Sequence, residues 1–214
     1  VTGSEGYVGT LVLNQLNIIN KLYYMNNSDI ELIIDHIPLV SSIESHLENG
    51  SHVLFSYHGL PLSHVRRSDA TGKHCQKIDD CCSLIDDANS SCYAHHCMMT
   101  TLAVTKKLGL GQENWSLSYQ SRLGPVKWLR PSTTETVEKL AKRGIKKLII
   151  ISPAFLADGL ETLEELDIEI REHYTKHGGG ELEILSCLND NLDWIKGLSN
   201  LVKKTFSTLP MLES

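Results

Sequence analysis

Four consecutive residues, Leu148-Ile149-Ile150-Ile151, constrain the fold of this chain more than any other feature. They belong to a run, Lys147 to Pro153, whose near-continuous apolar, largely β-branched character suits a strand covered on both faces of a parallel sheet. Parallel strands need crossover connections, usually helices. The spacing predicts helices over Leu11 to Met25, Leu39 to Leu47, Cys92 to Leu108, Thr133 to Arg143 (capped by Ser132 or Thr133), Asp158 to Tyr174 and Asp190 to Phe206. Further strands are expected at Ile30 to Ile34, Val53 to His58, Trp115 to Tyr119 and Leu182 to Leu185. Strands alternating with helices imply right-handed βαβ units and a three-layer, Rossmann-like α/β domain with a parallel sheet.

The second informative run is Val53-Leu54-Phe55-Ser56-Tyr57-His58-Gly59-Leu60-Pro61. Gly59 permits a sharp exit and Pro61 ends the ladder, so His58 is expected at the carboxyl end of its strand. In open α/β sheets the ligand cleft lies outside those ends. A histidine there can exchange a proton near neutral pH or bind a metal through a neutral ring nitrogen, or it can simply be satisfied by a loop carbonyl.

Acids form the other half of the pattern. Asp158, Glu161 and Glu165 are spaced three and then four residues apart, one face of an α-helix beginning just beyond the buried strand. On the neighbouring face, Leu160, Leu163, Leu166 and Ile170 are expected to pack on the sheet. Close carboxylates raise one another's pKa, which suits proton relay or cation binding, whereas acids in a first turn can also merely complement the helix dipole.

A net charge of −6 and the lack of a Lys/Arg block argue against a nucleic-acid partner. No apolar run reaches the roughly 18 residues of a membrane span. The opening Val1-Thr2-Gly3-Ser4-Glu5 has neither an initiator Met nor a signal pattern and reads as a chain whose beginning is missing. Five of the six cysteines, Cys75, Cys81, Cys82, Cys92 and Cys97, fall in one polar segment at about 70–98, which fits a reducing compartment better than a disulfide scaffold. Four such thiolates could hold zinc or a [2Fe–2S] cluster. Cys187 is expected to be a core thiol in the last strand.

Three ordered blocks carry a family resemblance: Phe-Ser-Tyr-His-Gly-Leu-Pro at 55–61, Ser-Tyr-Gln-Ser-Arg-Leu-Gly-Pro-Val-Lys-Trp-Leu at 118–129 and Ala-Asp-Gly-Leu-Glu-Thr-Leu-Glu-Glu-Leu-Asp at 157–167. Together they resemble ferrochelatase, which inserts ferrous iron into a porphyrin, over its carboxyl-terminal portion. The resemblance implies one domain of a two-domain chelatase, with residues 28–214 forming the carboxyl-terminal domain and 1–27 the tail of a missing amino-terminal one, so that this chain is expected to be a fragment with little activity alone. It implies His58 and Glu161 as the catalytic pair on opposite sides of the porphyrin, His58, Glu161, Asp158 and Glu165 as metal-handling groups, and a π-type distortion in the acidic helix. Tyr57, Pro61, Gln120, Ser121, Trp128 and Phe155 fall in blocks lining the porphyrin pocket. Gly159 stands where the family usually carries a polar or ring-bearing residue. Some ferrochelatases carry a [2Fe–2S] cluster, which here would fall on Cys75, Cys92, Cys97 and one of Cys81 or Cys82, with zinc as the alternative. The substrates implied are ferrous iron and protoporphyrin IX or a related porphyrin. The implied location is the cytoplasm, with peripheral membrane contact compatible with the resemblance. A related chelatase for another metal and a non-catalytic haem- or metal-binding module on the same fold are the competing readings.

Overall fold

A computed structural model of the chain describes residues 38–83 and 87–208. The helix expected over Leu11 to Met25, the strand at Ile30 to Ile34 and the 1–27 segment lie outside the described residues. Among the described residues, four strands form one all-parallel sheet: β1 (Ser51–His58), β2 (Trp115–Gln120), β3 (Lys147–Ile151) and β4 (Glu181–Ile184), in the order β2-β1-β3-β4. Around it pack α1 (Pro38–Glu44), α2 (Leu62–Arg66), α3 (Tyr93–Lys107), α4 (Thr133–Lys142), a π-helix (Glu161–Ile170) and α5 (Arg171–Lys176), and a further helix, α6 (Leu192–Thr208), follows β4. The fold is a three-layer α/β sandwich.

The strand order explains the layers. From β1 the chain steps to β2 on one side, then crosses back over β1 to reach β3 on the other. Right-handed connections running in opposite directions leave their helices on opposite faces. Residues of α1 and α3 accordingly meet Val53, Phe55, Tyr57, Ile149 and Ile151 on one face. On the other, α4, the π-helix and α5 meet Leu54, Leu148 and Ile150. All eight of these strand residues are at most 1% exposed. Two-sided burial of β1 and β3 is what the apolar runs demanded, each such aliphatic side chain contributing about 1.5–3 kcal/mol by leaving water.

Local sequence sets most element ends. Ser132 is the cap of α4, its Oγ accepting from the Glu135 N–H at 3.3 Å, with Glu135 in the first turn. Gly144 and Gly109 follow α4 and α3 at positive φ, where a side chain would be strained. The acidic helix departs from the α-helical expectation. It is π-helical from Glu161 to Ile170, and Leu160 and Leu163 are 73% and 57% exposed instead of packing on the sheet. The buried positions are Thr162, Leu166, Ile170 and Tyr174, spaced by four, because the wider turn of i→i+5 bonding rotates each residue less than an α-turn does. Cys187 lies in the loop after β4 rather than in a strand and is half-buried beside Asp158.

His52 is 1% exposed on β1, its Nε2 paired with Ser116 Oγ at 2.9 Å. Burial, aided by Arg143, pulls its pKa from 6.5 down to about 4. The unfolded chain therefore binds the extra proton between pH 6.5 and 4 and the folded chain does not, so stability is full above 6.5 and falls as the pH drops through that window. After allowance for solvent screening the loss attributable to His52 is about 2 kcal/mol. Denaturant titrations at pH 7 and pH 4 are expected to give a smaller difference for His52→Gln than for the unaltered chain; equal differences would discard this assignment.

Candidate active site

The reversal of connection direction makes the carboxyl end between β1 and β3 the topological switch point, where open α/β sheets hold their ligands. His58 is the last residue of β1, and Phe155 follows β3; their rings lie 6.1 Å apart at 45°. His58 Nδ1 sits 2.6 Å from the Gly59 carbonyl oxygen. A carbonyl only accepts, so this contact holds the proton on Nδ1 and leaves Nε2 with its lone pair. The Tyr93 hydroxyl donates to the His58 carbonyl at 2.6 Å and fixes the strand end from the α3 side.

Gly59 is required for a reason other than backbone freedom. A Cβ there would lie 2.6 Å from the Gln120 carbonyl oxygen and 3.2 Å from the Trp128 ring. The chain then runs against the Trp128 segment: Leu62 N–H donates to the Lys127 carbonyl at 2.8 Å, Leu129 N–H to the Leu60 carbonyl at 3.0 Å, and Pro61 and Trp128 form an isolated bridge. Trp128 Nε1 donates to the Leu123 carbonyl at 3.0 Å.

Below the site runs a buried polar network around Gln120, whose partners the sequence alone did not single out. Ser56 Oγ donates to Gln120 Oε1 at 2.5 Å and pairs with Thr133 Oγ1 at 2.9 Å, and Thr133 also meets Ser118 Oγ at 3.0 Å. Gln120 Nε2 donates to the Glu161 carbonyl at 2.9 Å. The amide of Gln120 thus ties the first residue of the π-helix to the ends of β1 and β2. Ser121, at φ 62°, donates both its N–H (2.6 Å) and its Oγ (2.7 Å) to the Glu165 carboxylate. Backbone in that region is costly for a non-glycine residue and persists only where neighbours enforce it.

The acids therefore have different surroundings. Asp158 precedes the helix: Thr162 Oγ1, Asn189 Nδ2 and the Cys187 N–H donate to its carboxylate at 3.0, 2.7 and 3.2 Å. Against the upward push of burial, these bonds hold it below the usual carboxylate range. Glu165 is committed to Ser121. Glu161 is half-buried, and among the described residues its carboxylate makes no hydrogen bond.

Tyr57 is a correction. It is fully buried, with its hydroxyl on Thr101 Oγ1 at 3.0 Å. Residues alternate across a strand, so Tyr57 faces α3 and cannot share a wall with His58. The Trp128 segment borders a groove of about 570 Å³ also lined by Leu62, Cys82, Tyr119 and Arg122, and His58 is not among its lining residues.

The cysteine segment is organised by Asp69, which is 9% exposed and accepts from the N–H groups of Thr71, Gly72, His74 and Cys75. The Thr71 hydroxyl and those N–H groups hold its carboxyl far below the ordinary range. Cys81 and Cys82 sulfurs lie 3.9 Å apart. Donation from the Cys82 thiol outweighs burial and, with the N–H groups of His95 and Ala94, lowers the Cys92 thiol while its partner Cys82 is raised. Burial and the neighbouring Cys92 and Cys81 push Cys75 up to about 11. Cys97 is fully buried in the core beside Tyr93, behind this group. Rings of His74, His95 and His96 are hydrogen-bonded to the carbonyls of Cys81, Cys82 and Ser90.

A family model of ferrochelatase matches residues 15–206. The curated ferrochelatase of Stutzerimonas stutzeri (strain A1501) is 43% identical over 168 residues, 78% of this chain and 49% of that protein. That of Pseudomonas syringae pv. syringae (strain B728a) is 42% identical over 167 residues, with the same coverage of both chains. The chain thus spans about half the length of the curated relatives it matches. A solved structure from Marinobacter aquaeolei VT8, named for cobalamin (vitamin B12) biosynthesis, superposes at a TM-score of 0.42 and 15% identity over 74% of this chain and 99% of that one, too loose a likeness to add to the fold seen directly.

Gly59→Ala tests the close approach. The added methyl must displace the Gln120 carbonyl or Trp128, at about 1–3 kcal/mol. The expected result is a lowered denaturant midpoint with a shifted tryptophan emission; an unchanged midpoint would mean that the Trp128 segment yields freely.

Proposed function

The chain belongs to the ferrochelatase family, and on that premise we propose that it carries the metal-inserting half of a porphyrin chelatase, with ferrous iron and protoporphyrin IX or a related porphyrin as substrates. The observation that carries the reading is His58 at the switch point with its Nε2 lone pair open and Glu161 as the one acid of three whose carboxylate is uncommitted among the described residues.

A porphyrin must lose two pyrrole protons before a metal enters its plane. His58 Nε2 accepts such a proton, and the Gly59 carbonyl on Nδ1 stabilises the resulting imidazolium. Glu161, from the other side of the ring, receives the cation or the second proton. Imidazole and carboxylate are also a fitting transient ligand set for ferrous iron. Asp158 and Glu165 act as positioning groups: the first anchors the turn into the π-helix to the loop after β4, the second anchors that helix to the end of β2. Phe155, Pro61, Gln120, Ser121 and Trp128 are assigned to the pocket wall. Residues 28–214 are read as one chelatase domain, whose open side a further domain of the whole protein covers.

For the cysteine segment we propose a [2Fe–2S] cluster on Cys75, Cys81, Cys82 and Cys92, in place of the set that included Cys97. The Cys81–Cys82 sulfur pair, the lowered Cys92 thiol and histidine rings engaged with carbonyls favour an all-sulfur donor set, which small movements of the loop would have to complete. Such a group would supply one-electron chemistry or a redox-sensitive staple. Zinc on the same sulfurs is the second reading. Ferrous iron and reduced thiols suit a cytoplasmic location, and no described helix is long and apolar enough to cross a membrane.

Anaerobic metallation of protoporphyrin IX by the whole protein, followed by loss of porphyrin fluorescence, tests the central claim. His58→Ala is expected to lower the rate by about 10²-fold or more and Glu161→Gln by at least about tenfold, with thermal midpoints unchanged. Full activity in His58→Ala would overturn the assignment. For the cysteines, anaerobic preparations are expected to contain sulfide in a 1:1 ratio with iron, lost in Cys92→Ser; zinc without sulfide would leave only the staple.

A further inference from the structure

A second cluster of metal-binding side chains lies well away from His58. Glu138 is on α4; His173 is on α5 and His177 follows it, one helical turn apart. Their ligand atoms all lie within 4.8 Å of one another. His173 Nε2 is 3.6 Å and His177 Nε2 3.9 Å from the same Glu138 oxygen, Oε2. The two imidazole rings are 4.3 Å apart at 42°.

The hydrogen bonding turns ligand atoms of this cluster toward a common centre. His177 Nδ1 lies 2.8 Å from the His173 carbonyl oxygen, which only accepts, so the proton sits on Nδ1 and the Nε2 lone pair faces the Glu138 carboxylate. His173 Nε2 is buried from solvent and has no hydrogen-bond partner. Three atoms able to ligate a cation thus converge on one point. Lys142 binds the other oxygen, Oε1, at 2.5 Å, which orients the carboxylate and leaves Oε2 for the centre. With ordinary bond lengths to a tetrahedral ion, ligand atoms stand about 3.3 Å apart, so small side-chain rotations close the site. An outer-shell carbonyl fixing the tautomer of a ligating histidine is the usual arrangement around bound metals.

We propose that Glu138, His173 and His177 bind one divalent transition-metal ion of the zinc class through two imidazole nitrogens and one carboxylate oxygen. The site joins α4 to the end of α5, immediately before β4, at the end of the sheet opposite His58. Imidazole with a single carboxylate favours zinc, cobalt, nickel or copper over magnesium or calcium.

The test is a titration of the chelator-stripped chain with Co²⁺, read by visible absorption, and with Zn²⁺, read by calorimetry. Cobalt on this site gives ligand-field bands without the near-ultraviolet thiolate-to-metal band that cobalt on the cysteines would give, so the two sites are told apart. His177→Asn and Glu138→Gln are each expected to weaken this binding tenfold or more and to abolish the rise in thermal midpoint on adding Zn²⁺, while Cys92→Ser leaves both unchanged. All three side chains are a quarter to a third exposed, so the variants are expected to fold. Binding of equal strength in His177→Asn and Glu138→Gln, or cobalt bound only with the thiolate band, would overturn the proposal and leave a histidinium–glutamate ion pair. His58→Ala leaves this binding intact, so failure here and failure of the chelatase reading are separate outcomes.

Discussion

The Gln120 side-chain amide joins the strand layer to the helix that carries Glu161. It accepts from Ser56 on β1, donates to the Glu161 carbonyl, and lies beside His58 in the β1–β2 register. Buried from water, an amide with both ends satisfied stabilises a single arrangement, and one with either end free would be costly. The start of the π-helix is therefore held over the ends of β1 and β2, and the relation of Glu161 to His58 follows from it. Ser121 and Glu165 repeat the connection one turn further along.

The π-helix changes what the acidic spacing means. On an α-helix, residues 158, 161 and 165 would form one line of equivalent carboxylates. Here Asp158 is tied to the loop after β4 and Glu165 to Ser121, while Glu161 opens the helix with its carboxylate free of hydrogen bonds among the described residues. The wide turn also exposes Leu160 and Leu163, which adds an apolar rim beside the site.

The cysteine segment shows the same division of labour. Asp69 collects four backbone N–H groups and one hydroxyl and so shapes a loop with little regular structure. That loop brings Cys75 within electrostatic reach of Cys81 and Cys92, residues up to 17 positions away in sequence. A charged side chain here replaces the ladder that a strand would have provided.

The sequence by itself determined the parallel sheet, because Leu148 to Ile151 and Val53 to Tyr57 are apolar where both faces of a strand must be covered, and it determined His58 at the carboxyl end of β1 through the Gly59 and Pro61 that follow. Helix ends at Ser132, Gly109 and Gly144 were equally legible, since caps act through bonds a few residues long. Only the tertiary structure decided which acid is free, that Tyr57 turns away into the core, that Cys97 stands behind the other sulfurs, and that Glu138 meets His173 and His177. The H-x₃-H spacing of those histidines is visible in the chain, but their carboxylate partner lies 35 residues earlier on another helix. Local pattern encodes backbone bonding and burial; the partners of polar side chains depend on which elements the sheet order sets side by side, and no short stretch of sequence carries that information.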